Sequence, residues 1–301
     1  MIAVFFGVGS AISLGIADYL ANRNSVRIGA DRTLCGMLAV GTVGLSLLGI
    51  ATGTSIPLEP VAVAYVLIHG VCLALALLTF FAALARGPVS VVAPIVGAHP
   101  VIVVAFAVVS GRTPDLAESA AIAAIIVGVV LIGAVTPGPQ TESGPAPKQR
   151  SVLPPTPRVT GSILVLAGFA SVVYAIAVIT GQEASARTDG FVALWMGRTV
   201  GFLFLLALLL LRRRDVYFWR LPAQRQGIIV AHGFLDTFGF FLLFAGGMTR
   251  NPEFTAVISS TFSVVTVILA CVLLGERMAR LQIFGLVLIV SGVAMLGYAG
   301  A

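Results

Sequence analysis

The chain has 301 residues, of which 58% are hydrophobic and only 10% charged, with a formal net charge of +6 and a mean hydropathy of +1.07. Soluble domains carry about 25% charged residues, so this chain cannot cover one large core with polar surface and must turn apolar side chains toward lipid. The basic residues stand mainly in short connectors, which fits membrane anchoring and orientation and argues against nucleic acid as a partner.

A helix needs about 20 apolar residues to cross a bilayer core. That window predicts ten spans in chain order, at about 2–21, 32–52, 61–85, 88–110, 116–136, 159–180, 190–211, 226–247, 252–274 and 281–299. Backbone groups in lipid must bond internally, and no barrel-like alternation is present, so the spans are read as helices. The N-terminus lacks a basic leader and its first run is long enough to span, so a cleaved signal is not expected. Pro88 and Pro252 fall in the first turns of the fourth and ninth spans, where a missing N–H costs little. Between the fifth and sixth spans, 137–158 holds seven prolines in 22 residues and reads as an extended linker. Five spans precede it and five follow.

The two halves repeat. A shift of 164 residues lays 85–133 over 249–297 with ten identities in 49 ungapped positions, among them Arg86/Arg250, Pro88/Pro252, Gly111/Gly275 and Gly128/Gly292. The stretches VVSGR and VLLGER are then one feature, a tight turn between the fourth and fifth helices of each half. Gly111 and Gly275 permit the reversal, and Glu276 is expected to pair locally with Arg277 or Arg280. An odd number of spans per half makes the second copy enter from the opposite side. The expected fold is therefore an all-α integral membrane protein with ten transmembrane helices as two inverted five-helix repeats, 1–136 and 159–301, an architecture suited to alternating access.

The pattern ARGP followed about 22 residues later by GR, and TRNP followed by GE, each leading into a Gly-rich helix, resembles EamA-type members of the drug/metabolite transporter superfamily. In that family a proline and a GE turn mark the fourth and fifth helices of each repeat. Pro252, Gly275, Glu276, Gly285 and Gly292 fit this pattern, whereas the first copy departs with Arg112 in the glutamate position and Ala121 in the first helix-glycine position. The resemblance implies movement of small organic solutes, often export, through a central cavity.

Ionisable residues inside spans are functional candidates. Asp236 and His232 are four apart on the eighth span and can share a face, where a pair could bind a proton or an amine. His69 lies near the middle of the third span, the counterpart of the eighth. His99 stands between Pro94 and Pro100, two prolines that should kink the fourth span and free carbonyls; it is either a cavity contact or a packing histidine bonded to such a carbonyl. Arg198, in the seventh span, suits a carboxylate-bearing ligand or an ion pair with Asp236 or Asp18. Tyr174 and Trp195 are stacking walls or packing aromatics. Asp18 and Tyr19 fall near the end of the first span and read as interfacial anchors.

Cys35, Cys72 and Cys271 lie in apolar runs without metal or disulfide spacing, and no Walker, GxSxG or HExxH pattern is present. No enzyme, metal or other cofactor is therefore expected. Fourteen of the 18 basic residues fall in odd-numbered connectors, which places those connectors in the cytoplasm and both termini outside; the resemblance implies cytoplasmic termini instead. The expected function is a multi-pass secondary transporter of the plasma (inner) membrane for small-molecule solutes, monomeric or homodimeric, with amino-acid-like substrates favoured by Arg198 plus Asp236. The alternative is a non-transporting membrane scaffold or assembly factor.

Overall fold

The computed structural model describes residues 2–56, 59–109, 111, 115–134, 159–214, 216–247, 258–259 and 261–299. Pro252, Arg112 and the proline-rich stretch 137–158 lie outside the described residues. The described chain is helical and contains no strand. Its α-helices are α1 (Ile2–Ile28), α2 (Ala30–Ala51), α3 (Pro60–Leu84), α4 (Val89–Gly97), α5 (Pro100–Val109), α6 (Leu116–Ala134), α7 (Gly161–Arg187), α8 (Gly190–Leu211), α9 (Ala223–Gly247), α10 (Phe262–Leu273) and α11 (Arg280–Ala299). A 3₁₀ turn at Phe218–Arg220 precedes α9. Six of them, α1, α2, α3, α7, α8 and α9, are long and apolar enough to cross a membrane, and the remainder are shorter apolar helices.

Pro94 and Pro100 have the expected effect: the fourth span is broken between Gly97 and Pro100 into α4 and α5. The first and sixth spans run further than the apolar windows at 2–21 and 159–180, as α1 to Ile28 and α7 to Arg187. Hydropathy marks the lipid-facing stretch, whereas backbone hydrogen bonding carries a helix on through a polar turn.

Lengths and partners recur across the chain. α1 and α7 have 27 residues each, α2 and α8 have 22, and α3 and α9 have 25. α1 packs on α9 as α7 packs on α3; α2 lies against α9 as α8 lies against α3; α1 touches α10 as α7 touches α4. The pairs α2–α8, α4–α10 and α6–α11 meet directly.

Small residues set these approaches, because lipid supplies no hydrophobic force between helices and close packing must replace it. A Cβ added to Gly128 on α6 would stand 2.5 Å from the Gly285 carbonyl oxygen on α11, and one added to Gly292 would stand 2.7 Å from that of Ala121. The 164-residue shift converts the first contact into the second. Ala121 thus departs from glycine without opening the crossing: its own carbonyl is the surface that Gly292 approaches. Outside, large apolar side chains are bare, including Phe5 at 74% and Val165 at 71% exposure, the surface that lipid would cover. The three cysteines are unpaired, with Cys35 fully buried.

Replacing Gly128 by leucine would force α6 and α11 apart. The expected outcome is destabilisation by roughly 1–3 kcal/mol, read as a lowered Tm in nanodiscs, with Gly44→Leu, at a position with open space around it, close to the parent.

Candidate functional site

Glu276 does not pair locally as the sequence suggested. Its carboxylate accepts hydrogen bonds from the backbone N–H groups of Val89 and Ser90, each at 2.8 Å, and the residue is 7% exposed. These are among the N–H groups that a helix start leaves without partners, and Pro88 immediately before them has no N–H to offer. A carboxylate there also faces the positive end of the α4 dipole. Nearest-neighbour reasoning missed this because the partner lies 187 residues away. Gly275 reaches the required turn at φ 69°, and Gly111 adopts φ 99°, so both turn glycines occupy the left-handed region.

The intramembrane charges converge where α1, α8, α9 and α10 meet. Arg198, near the middle of α8 and 1% exposed, forms an ion pair with Asp236 of α9. Its guanidinium lies 5.0 Å from the centre of the Phe240 ring, one helical turn beyond Asp236. The Nε and Nη2 atoms of Arg198 have no hydrogen-bond partner among the described residues. Five N–H donors in a fixed fork exceed what one carboxylate can satisfy, so donors remain for a further acceptor. His232 is 1% exposed, stacks on Phe81 with centroids 5.6 Å apart, and leaves Nδ1 without a hydrogen-bond partner.

Asp18 is not an interfacial anchor. Because α1 continues for ten residues beyond it, the carboxylate lies within the bundle, 3.5 Å from the Thr266 hydroxyl of α10 and close enough to Asp236 for their charges to interact. Tyr174 shares the electrostatic neighbourhood of Asp18, Asp236 and Arg198. Its ring meets His99 edge-on, with centroids 4.7 Å apart. His99 Nδ1 donates to the Val96 carbonyl at 3.1 Å, an acceptor at the break between α4 and α5. His99 and Tyr174 therefore join the same central region from α4–α5 and α7.

The other two candidates are held in helix packing. His69 Nδ1 donates to the Ala177 carbonyl at 2.7 Å, and its ring fills the space left by Gly181 and Gly197. Trp195 Nε1 donates to the Ser46 hydroxyl at 2.9 Å and its ring packs on Gly49. Thr266, Thr237 and Gly41 were not singled out in the sequence. Gly41 leaves room on α2 for Thr237 and Arg198, and the signal that could have found them is a polar or minimal side chain interrupting an otherwise apolar run. Among the described residues no cluster of histidine, cysteine and carboxylate side chains could hold a metal ion.

Residues 1–134 and 161–298 match the EamA-like transporter family. The chain belongs to the EamA-like transporter family. EamA proteins form part of the drug/metabolite transporter superfamily and are membrane transporters rather than enzymes, so this is an integral, multi-pass membrane protein of transmembrane transport. One protein crystal structure is similar over 97% of this chain and 95% of its own, with a TM-score of 0.62 and 20% identity, a likeness of fold. No curated protein matches the chain.

Two sets of substitutions probe the EamA site geometry. Glu276→Ala strands two buried N–H donors and is expected to cost about 2–5 kcal/mol, whereas Glu276→Gln, which retains an acceptor oxygen, costs less; thermal unfolding in nanodiscs ranks them. Removing either partner of the Arg198–Asp236 pair leaves a buried charge uncompensated, at about 3–5 kcal/mol. The double variant Arg198→Met/Asp236→Asn is expected to lose less than the sum of its single changes in a double-mutant cycle.

Proposed function

We propose that the protein is a secondary transporter that exports small organic metabolites or drug-like solutes across the plasma (inner) membrane by alternating access. In this reading ten transmembrane helices form two inverted five-helix repeats, 1–136 and 159–301, joined by the linker 137–158. The recurrence of helix lengths 27, 22 and 25 supports it. So does the pairing of helices, in which α1 on α9, α2 on α9 and α1 on α10 are mirrored by α7 on α3, α8 on α3 and α7 on α4.

The observation that carries the substrate reading is the buried Arg198–Asp236 pair with guanidinium N–H groups left over. A buried ion pair is an expensive way to hold two helices together, since apolar side chains of the same volume often do as well. It gains a purpose if a ligand exchanges with it. A substrate carboxylate would take the spare donors of Arg198, and a substrate ammonium would meet Asp236 and Asp18. That arrangement favours amino-acid-like solutes over purely hydrophobic cations. His232 and the two carboxylates supply groups that exchange protons, and a proton gradient is the energy source that these residues can use.

The Glu276 contact with Val89 and Ser90 ties the turn between α10 and α11 in one half to the start of α4 in the other. Both ends of that tie belong to odd-numbered connectors and so to one side of the membrane. Opening a cavity toward that side requires the tie to break, while the buried charges stay with their own helices.

Purified protein in proteoliposomes, challenged with labelled amino acids, amines and sugars with and without a pH gradient, tests this reading. Counterflow of an amino acid, normalised to folded protein, is expected, abolished in Asp236→Asn and reduced at least tenfold in Arg198→Lys. Flux indifferent to both changes would remove the substrate reading. Resistance phenotypes in cells that track protein abundance alone would favour a scaffold.

A further inference from the structure

A second polar cluster lies apart from the buried pair, at the end of α1 and the start of α9. Arg23 and Arg27 are one helical turn apart on α1, and Arg225 stands in the first turn of α9. With Tyr19 and Asn24 they line a pocket of about 160 Å³, whose apolar lining includes Ile28 and Ile228. Asn24 is 7% exposed, yet its Nδ2 donor has no hydrogen-bond partner among the described residues. No ion pair joins any of the three arginines to a carboxylate among the described residues. Arg23 lies over the Tyr19 ring at 6.0 Å, a contact that leaves its N–H groups available.

Three guanidinium groups and a buried amide donor, with no carboxylate paired to them among the described residues, call for an anion that presents several acceptor oxygens. Guanidinium forks match phosphate oxygens in pairs. The place of the pocket along α1 points to a source for that phosphate. Arg23 and Arg27 lie about 8 and 14 Å beyond Asp18 along α1 at about 1.5 Å per residue, and a bilayer half-thickness is about 15 Å. Tyr217 and Trp219, at 40% and 53% exposure, stand at the same end of the bundle in the segment leading to α9, where aromatic rings favour the headgroup layer. Val26 and Val230, exposed at 61% and 52% on the same two helices, offer apolar surface for acyl chains. We propose that the cleft between the end of α1 and the start of α9 binds the phosphate of an anionic phospholipid. This site is independent of the transport reading, although the helices that form it also carry Asp18 and Asp236.

Native mass spectrometry of the full chain, mixed with equal amounts of phosphatidylcholine and phosphatidylglycerol, tests the assignment. The parent is expected to retain phosphatidylglycerol preferentially, and R23Q/R27Q/R225Q to retain at least about tenfold less. Asn24→Leu, with every charge intact, is expected to lose most of the preference. R212Q/R213Q/R214Q removes the same charge from neighbouring positions and is expected to keep it. Absence of preference in the parent, or equal loss in the two triple variants, overturns the proposal. Displacement of the lipid by millimolar inorganic phosphate or glycerol phosphate overturns the lipid source and assigns the pocket to a soluble anion.

Discussion

Lipid offers no partner for a polar group, and much of the packing inside this bundle answers that constraint. Ser10 and Ser13 of α1 donate to the Gly239 and Leu235 carbonyls of α9, at 2.8 and 2.7 Å. Asn22 reaches from α1 to the Leu84 carbonyl at 2.7 Å. The broken fourth span is tolerable because its two ends are answered: Glu276 covers the first N–H groups of α4, and His99 takes up the Val96 carbonyl at the break. A carboxylate 187 residues from its partners in sequence thereby serves as part of the secondary structure of another segment.

The same constraint makes the unanswered groups informative. Arg198, His232, Asp236 and Thr237 have side-chain atoms that are buried and without a hydrogen-bond partner among the described residues, and all four sit around one ion pair. Apart from Asn24 and Ser25 near the end of α1, the unmet side-chain hydrogen bonding among the described residues gathers around this pair. Such concentration is what a ligand site requires and what a packing interface avoids.

The polar set is also asymmetric within a repetitive frame. When equal-length helices are aligned end to end, His69 of α3 takes the position of His232 of α9, but Leu73 stands where α9 has Asp236. Ala177 of α7 stands where α1 has Asp18, and Leu38 of α2 where α8 has Arg198. Of the two equivalent clusters, one has kept charge and the other has become packing, with His69 bonded to the Ala177 carbonyl itself. Helices of matched length and packing give the frame its symmetry, and the residues at three positions remove it from the site.

Composition, the period of apolar runs and the repeat were enough to reveal an all-helical membrane protein, the extent of most helices, the break at Pro94 and Pro100 and the two glycine turns, because each of these depends on local chemistry. The family resemblance was legible for the same reason, in proline and glycine positions tied to backbone geometry. Sequence alone also identified Arg198 and Asp236 as costly in lipid and each as a suitable partner for the other. It could not decide between Asp236 and Asp18 for Arg198, and it misplaced Asp18 and Glu276. Those choices depend on which helices touch: α1 with α9 and α10, and the α10–α11 turn with α4. Such contacts join residues far apart in the chain and are fixed by the packing of small residues and the satisfaction of buried hydrogen bonds, neither of which has a local signature.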